Sequence, residues 1–454
     1  MVTFHPEFHH TIIPEPDPEL TISSKVSLKL RTLRTKPSTH PSQDYLLGLR
    51  GLLTIQAFIY TFLLVFTPTA VKDSHNSSGP GTQLFLRKTL SVLLWNASLI
   101  YSFIIVLSAR CISIPFISSP TSLVVASSVF RRSVRLLIPT FVSSLLVVIF
   151  FSGGREHIHE FKTLTSNHSI ETPYTLPGFV GFFNAIFNLF WVPRDFASQA
   201  GSRAFPGQML WIVTLLYSQS WTVFMSMVII PYTRPVWRVK AWIFFILTAW
   251  WVQSWAWFSI TGLLLADVKM NMDFQFKSLK GLRVAKRWRV PSWILYGVCV
   301  AVGLMMQFFW VAWKPELADG ELRIHADLYG SAGLNEDPDL RQPQARMDNY
   351  FVIVGVIGLL ETSDFLQFIL SSAPLLYLGR RSFAWFLTQS IIIYSVGIKL
   401  FLHLHKNGAS ETEAIIACLL VCVLTVISTA EVFYRLVEIP SQRFAKVAWE
   451  WMRV

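Results

Sequence analysis

The chain has 454 residues; 52% of them are hydrophobic, 15% are charged, and the formal net charge is +12. This composition argues against a water-soluble fold, because helices packed in lipid are apolar outward as well as inward. The net charge does not indicate nucleic-acid binding, since the Arg and Lys residues lie in short loops that flank apolar stretches. We therefore expect a protein of the lipid bilayer that binds no nucleic acid.

Residues 1–44 precede the first apolar stretch and are largely polar. They contain no signal-peptide pattern and carry a basic run over residues 25–36, which predicts a partly disordered cytoplasmic arm. After this arm the sequence predicts a transmembrane domain over residues 45–445 and a cytoplasmic tail over residues 446–454.

Ten apolar stretches follow one another along the chain, and a helix needs about 20 apolar residues to cross a hydrocarbon core. Because lipid offers no partner to an unpaired backbone group, the pattern predicts an all-α, polytopic transmembrane helical bundle of about ten spans. The predicted spans are residues 49–70, 89–109, 136–152, 176–193, 208–231, 241–266, 291–313, 349–371, 383–403 and 413–436.

The basic loops predict the orientation of the spans. The positive-inside rule places residues 131–135 and 277–289 on the cytoplasmic side, so an even number of crossings must separate them. The short stretch 176–193 is needed to make that number four. In this scheme the basic residues 234–240 fall on the far side. Either that loop is an exception, or 241–266 is a broken pair of short helices.

The loops on the predicted far side have a different character. They contain two glycosylation acceptor sequences, at Asn76 and Asn167, and an acidic segment over residues 314–348. These features suit a eukaryotic lumen. We therefore expect a multi-pass protein of an internal membrane of the endoplasmic-reticulum type, with both termini in the cytoplasm.

Four short motifs stand at the ends of predicted spans. They are YLLGLRG (45–51), LSAR (107–110) followed by FRRSVRLLIP (130–139), LYLGRRSFAWFL (376–387) and FYRLVEIPS (433–441). In this order they resemble the acyltransferase-3 family of integral-membrane acyltransferases over about residues 45–445, and the flanking sequence is most similar to its filamentous-fungal branch. The resemblance implies transfer of an acyl group from a CoA-type donor, or its relay across the membrane, to hydroxyls of sugars, lipids or small metabolites.

The resemblance also implies which residues bind the donor, because guanidinium groups at helix ends can contact the phosphates of CoA in pairs of hydrogen bonds. The alternative interpretation is that these arginines only anchor helix ends. Carried over residue by residue, the donor-binding positions are Arg50, Ser108, Arg110, Arg131, Arg132 and Arg135, and the terminal E-x-P is Glu438 with Pro440.

Two positions depart from the family pattern. The family's first helix has a histidine eleven residues after its arginine, where this chain has Thr61, and a later histidine is replaced by Gln389. Without such a base, the usual activation of the acceptor hydroxyl is missing. Glu361 and Asp364, three residues apart and predicted to share a helix face, are the candidate substitutes, because ionisable groups inside a span are costly and are commonly functional. An arginine partner for this pair is the alternative; with Arg50, they are the candidate catalytic residues.

The sequence thus leaves two functional hypotheses. The first is a membrane O-acyltransferase that moves an acyl group, expected to be acetyl, from acyl-CoA to a hydroxyl of a small molecule such as a fungal secondary metabolite. The second is a non-catalytic carrier or binding protein for a metabolite or a proton. His157 and His159 alternate as a metal pair can, but a solvated loop is the favoured interpretation. We predict no metal site and no tightly bound cofactor; the sequence does not indicate an oligomeric state.

Overall fold

The computed structural model describes residues 43–283, 289–327 and 333–453, and from Asp44 onward the chain forms one compact helical unit. The predicted arm lies outside the described residues except for its last two. The α-helices are α1 (Asp44–Phe66), α2 (Gly81–Lys88), α3 (Leu90–Leu94), α4 (Ala97–Ser118), α5 (Ser122–Phe151), α6 (Glu156–Thr165), α7 (Gly178–Trp191), α8 (Ala200–Ala204), α9 (Trp211–Met227), α10 (Pro235–Trp251), α11 (Ala256–Asn271), α12 (Phe274–Leu279), α13 (Ser292–Phe308), α14 (Met347–Thr362), α15 (Asp364–Leu370), α16 (Ala373–Ile392), α17 (Ile398–Lys406), α18 (Glu411–Phe433) and α19 (Ile439–Met452).

The remaining regular structure is short. Strands β1 (Leu282–Arg283) and β2 (Arg289–Val290) pair antiparallel. Single π-helical turns end α13 at Phe309–Trp313, join α16 to α17 at Ile393–Gly397, and join α18 to α19 at Tyr434–Glu438. The last of these makes α18 and α19 a nearly continuous helix that runs through most of the predicted tail.

Seven helical stretches of the described residues are long and apolar enough to cross a membrane, and the bent pair α14–α15 makes an eighth if it counts as one span. The prediction of an all-α helical membrane bundle is therefore confirmed, whereas the number of ten spans stays a prediction. The seven stretches are Asp44–Phe66, Leu90–Ser118, Ser122–Phe151, Pro206–Tyr232, Ser292–Trp313, Ala373–Lys406 and Glu411–Met452.

The helices run between two ends of the bundle. At one, Tyr45 near the start of α1 contacts Glu361 at the end of α14 and Arg110 in the second half of α4. Lys269, near the end of α11, pairs with the same Glu361. We call this the basic end. At the opposite end, Asn167 binds the last turn of α1.

Helix α7 is apolar but is not among the described stretches long enough to cross a membrane, so the span over 176–193 stays a prediction. The segment before it is tied to Arg203, whose carbonyl oxygen accepts the N–H of Tyr174 at 2.9 Å. The carbonyl oxygen of Val192, just after the helix, accepts the Gln199 side chain at 2.6 Å. The segments that precede and follow α7 are therefore both tied to residues 199–203. The 14 residues of α7 extend only about 21 Å, less than the roughly 30 Å of a hydrocarbon core.

Residues 241–266 belong to two separate helices. This is the second of the two alternatives that the sequence left open to explain the position of the basic residues 234–240. Helix α10 ends at Trp251 and α11 begins at Ala256, with Gln253 in the left-handed conformation between them. The two helices are antiparallel, because Arg238 near the start of α10 binds Asp267 near the end of α11 at 2.6 and 2.8 Å. The basic residues 234–240 therefore lie at the basic end. Residues 131–135, expected in a loop, lie inside helix α5 (Ser122–Phe151), so the prediction of a loop there is wrong.

The eighth apolar stretch is bent by 102° between α14 and α15. Ser363 lies outside both helices and its side chain accepts the backbone N–H of Leu366, which starts α15 as a new helix. The prediction that Glu361 and Asp364 share a helix face is therefore wrong: Glu361 is buried in the last turn of α14, and Asp364 is exposed at the first residue of α15.

Helices α1 and α16 lie side by side and parallel, and this pair positions the candidate site. Gly51 and Gly379 make the close approach feasible, since a Cβ at either position would collide with the backbone of the other helix, at Leu375 and Leu47 respectively. The starts of both helices are thereby held together at the basic end.

Candidate functional site

A cavity of about 150 Å³ lies between α1, α4, α5, α9 and α16, near the basic end of the bundle. Its walls are largely apolar, with Leu53, Ile104 and Phe386 among them. The charged residues that line it are Arg50, Arg132, Arg135 and Glu438, and the neutral polar ones are Thr54, Ser108, Cys111, Ser382, Gln389 and Gln442.

Three guanidinium groups and one carboxylate give the cavity lining an excess of two positive charges. Neighbouring hydroxyls hold two of the arginines: Arg132 donates to Ser108 Oγ at 2.6 Å, and Arg50 donates to Ser382 Oγ at 2.7 Å. Arg135 and Arg50 both act electrostatically on Arg132. Like charges held together in a low-dielectric cavity repel one another, so an anion that enters between them relieves the repulsion.

Most residues that the resemblance assigns to donor binding meet at this cavity. Arg50, Ser108, Arg132 and Arg135 come from three different helices and all line it, and Glu438 of the terminal E-x-P lies beside them. Arg131 is not among the lining residues; its Nε donates to the Ser127 carbonyl oxygen of its own helix at 3.3 Å.

The two positions where the resemblance expects histidines are in contact. Gln389 Nε2 donates to Thr61 Oγ1 at 3.4 Å, although 328 residues separate them in the chain. Thr61 in turn donates to the Ala57 carbonyl oxygen at 2.9 Å. Gln389 lines the cavity and is fully buried, and its Oε1 has no hydrogen-bond partner among the described residues. A buried amide oxygen without a partner is costly, so this site favours a ligand that donates a hydrogen bond.

Arg110 and Glu361 form a separate charge cluster that is not part of the cavity lining. The two side chains make an ion pair and are 0% and 2% exposed. Glu361 also accepts from the Tyr45 hydroxyl at 2.6 Å and pairs with Lys269 Nζ at 2.8 Å. Two cations and a hydroxyl thus share one carboxylate, and the cluster joins α1, α4, α11 and α14. Glu361 thus has the arginine partner that the sequence analysis gave as the alternative to a catalytic role. Asp364 takes no part in the cluster.

Sequence reasoning did not identify Lys269 and Cys111. Lys269 directly follows the sixth apolar stretch, so the sequence indicates only one more basic residue at the end of a span. Cys111 lies three residues after Ser108, which places both on one face of α4, and that spacing was the available signal.

The glycosylation and metal candidates lie at the opposite end. Asn167 is fully buried, and its Nδ2 donates to the Leu64 and Val65 carbonyl oxygens at 3.0 and 2.9 Å, so the folded protein has no room for a glycan there. Asn76 is half-buried at the surface.

Burial lowers the pKa of His157, which contacts the Tyr394 carbonyl oxygen at 3.2 Å. Within the described residues no group of three or more His, Cys, Asp or Glu side chains could hold a metal ion.

No protein-family model, no curated protein and no solved structure matches this chain. The resemblance to the acyltransferase-3 family therefore stays a prediction.

Proposed function

We propose that the protein is a membrane O-acyltransferase that moves a short acyl group from acyl-CoA to a hydroxyl of a small molecule. The observation that supports it is the cavity itself, whose largely apolar walls carry Arg50, Arg132 and Arg135 and also Gln389, whose amide oxygen has no partner among the described residues. A CoA thioester matches this combination, since it joins phosphates to a small apolar acyl end.

The distribution of charge supports a cytoplasmic opening for the cavity. The basic segments 131–135, 234–240 and 277–283 all lie at the basic end, which the positive-inside rule assigns to the cytoplasm. Acyl-CoA made in the cytoplasm therefore reaches the arginines without crossing the bilayer. On this proposal the protein is a multi-pass protein of an internal membrane, and both termini are cytoplasmic.

The size of the cavity supports a short acyl group. Its volume of about 150 Å³ is below the roughly 300–1,000 Å³ of pockets that enclose a drug-sized ligand. The nucleotide of CoA then stays at the basic end on Arg50, Arg132 and Arg135, and only the thioester end enters. The acceptor hydroxyl donates a hydrogen bond to Gln389 Oε1. Positioning of the two reactants supplies most of the rate enhancement in this scheme; Glu361 is not assigned a proton-transfer role, because its oxygens are occupied.

The test combines binding with transfer. Acetyl-CoA should raise the unfolding temperature of the purified protein, because a ligand at 100 times its Kd stabilises the folded state by about 2.7 kcal/mol. Labelled acetyl-CoA should also transfer its acetyl group to a component of a fungal metabolite extract. We expect Arg50→Gln and Arg132→Gln to reduce both effects, and Arg131→Gln, a matched change outside the cavity lining, to reduce neither. Absence of both protection and transfer in the wild-type protein would refute the proposal.

A carrier on the same scaffold is the second candidate, and the observation that favours it is that the described residues lining the cavity include no histidine. A carrier predicts that reconstituted vesicles take up an anionic metabolite with the same dependence on Arg50 and Arg132, while acetyl-CoA is neither bound nor consumed. The two candidates therefore differ in the response to acetyl-CoA.

A further inference from the structure

His325 is a fully buried histidine at a contact between two distant parts of the chain. It lies in the segment over residues 314–346, which connects the π-helical turn after α13 to the start of α14 and is called the joining segment below. His325 is 0% exposed. Its ring packs edge-on against Trp250, in the last turn of α10, with 5.1 Å between the ring centroids. The side chain of His325 therefore fills the contact between the joining segment and the α10–α11 pair.

Hydrogen bonds hold the joining segment to the same place on both sides of this ring. The N–H of Ala326 donates to the Trp251 carbonyl oxygen at 2.9 Å, and the N–H of Asn335 donates to the His325 carbonyl oxygen at 2.9 Å. The side chain of Asn335 donates to Gln253 Oε1 at 3.3 Å. The joining segment thus closes over the turn between α10 and α11, with His325 in the middle of the contact.

The surroundings of the His325 ring favour its neutral form. Neither ring nitrogen has a hydrogen-bond partner among the described residues. Burial lowers the pKa of His325 below its ordinary value of 6.5, and the nearby Trp250 backbone opposes this only in part. A neutral imidazole leaves one N–H donor without a partner in this contact, whereas an imidazolium would leave two donors and a positive charge. Protonation is therefore costly while the contact is closed.

The charges around His325 do not offset this cost. Residues 248–259, which form the end of α10, the turn and the start of α11, contain no charged side chain. In the joining segment, Arg323 is exposed and Asp327 is half-buried, two residues before and two residues after the ring. Among the described residues no carboxylate acts electrostatically on His325. The buried ring thus has no counter-charge that would stabilise its protonated form.

We propose that His325 is an acid-sensitive latch, whose protonation releases the joining segment from the turn between α10 and α11. In the released segment the ring takes up a proton at about pH 6.5, whereas the closed contact resists protonation to a lower pH. The stability that the neutral ring gives to the closed contact is therefore fully present above about pH 6.5 and is lost as the pH falls below it.

The latch lies at the end of the bundle opposite the arginine cavity. The joining segment leads into the start of α14, and the last turn of α14 carries Glu361 at the basic end. With the basic end in the cytoplasm, the latch responds to acidity in the lumen. The inference about His325 is independent of the activity proposed for the cavity.

Glu321 is a second titrating group in the joining segment, and it acts in the opposite direction. Burial raises the pKa of this carboxyl group to about 7, so the closed segment keeps its proton and loses it as the pH rises. Its side chain accepts the N–H of Met347 at the start of α14 and does not face the His325 ring. The direction of a pH effect therefore distinguishes the two groups, and Glu321→Gln removes one of them.

The experiment is hydrogen–deuterium exchange of the full-length protein in detergent from about pH 5 to about pH 8, corrected for the intrinsic exchange rate at each pH. The readout is the protection of the peptides that contain the Ala326 and Asn335 amides. As the pH falls below about 6.5, we expect their protection to decrease by up to about tenfold per pH unit, the limit for one proton. The peptides of α10 and α14 should keep theirs.

Variants assign the effect to one side chain. His325→Leu should remove the loss of protection in acid, and His325→Phe, which keeps a ring against Trp250, should do the same. His159→Leu, a matched change of an exposed histidine, should leave it as in wild type, and so should Glu321→Gln.

Four results would overturn the inference. They are constant protection of the Ala326 and Asn335 amides in the wild-type protein, equal loss of protection in α10 and α14, persistence of the acid effect in both His325 variants, and its disappearance in Glu321→Gln. The second of these would mean general unfolding of the bundle, and the last would assign the effect to Glu321.

Discussion

At the scale of single residues, the carboxylate of Glu361 holds two cations in a buried cluster. Glu361→Gln removes the negative charge that Arg110 and Lys269 share, and breaking a buried ion pair in this way costs about 3–5 kcal/mol. We therefore expect a large drop in unfolding temperature, measured by tryptophan fluorescence in detergent. Asp364→Asn, an exposed control of the same chemistry, should change stability by less than about 0.5 kcal/mol. A Glu361→Gln protein with wild-type stability and no transfer activity would instead make Glu361 catalytic.

Gln389 should show the opposite combination of effects. Gln389→Leu removes a buried acceptor without a partner, and such an atom costs roughly 1–3 kcal/mol. We expect the variant to be as stable as wild type or more stable, yet to lose most acetyl transfer because the acceptor hydroxyl loses its hydrogen bond. Thr388→Val is the matched control: Thr388 is buried but bonds only to carbonyl oxygens of its own helix. Wild-type transfer by Gln389→Leu would contradict a role in acceptor binding.

At the scale of elements, the start of α14 depends on a distant carboxyl group. Glu321, in the segment that joins α13 to α14, accepts the backbone N–H of Met347, the first residue of α14. Burial and, to a smaller extent, the nearby Asp348 raise the pKa of Glu321 to about 7, although Arg346 and the Met347 hydrogen bond oppose the shift. This carboxyl group is thus a cap whose protonation state changes near neutral pH.

The raised pKa predicts how the stability depends on pH. Between about pH 4.5, the ordinary pKa of this group, and pH 7, the folded protein keeps a proton on Glu321 that the unfolded chain has lost. The free energy of unfolding therefore decreases as the pH rises through this range and levels off above it. Glu321→Gln should remove this part of the slope, which unfolding temperatures of both proteins from pH 4.5 to about 8 would measure. Identical pH profiles for the two proteins would contradict the assignment.

Long apolar stretches identified α1, α5 and α16 because hydropathy alone decides whether a helix suits lipid. For residues 176–193 the same signal is incomplete, because α7 is apolar but has only 14 residues. The signal also merged α10 with α11, because the turn around Gln253 is formed by polar and aromatic residues without the Gly or Pro that usually marks a break.

For the candidate site, the sequence motifs identified the arginines that line the cavity. They did not predict that Arg110 would lie outside the cavity lining. Ser108 and Arg110 are neighbours in the chain, yet α4 directs them to different partners, Arg132 and Glu361. The contact between Thr61 and Gln389 could not be predicted from spacing either, since it depends on the parallel packing of α1 against α16. Such contacts between distant segments are a property of the folded bundle.

At the scale of the whole molecule, the two ends of the bundle differ in charge, and only one of them carries the candidate glycosylation sites. If the basic end is cytoplasmic, Asn76 and Asn167 both face the lumen, but only Asn76 has an accessible side chain. We therefore expect any shift in electrophoretic mobility on glycosidase treatment to disappear in Asn76→Gln.

The matched change Asn167→Gln should keep the mobility shift. It should also lower the unfolding temperature, because the longer side chain cannot keep both bonds to the carbonyl oxygens of Leu64 and Val65 at the end of α1. A glycan on Asn167 in the mature protein would contradict this packing.

An engineered acceptor sequence in the loop between α9 and α10 provides the complementary test. Its modification would place the arginine cavity on the luminal side, out of reach of cytoplasmic acyl-CoA, and would thereby remove the main support for the proposed donor.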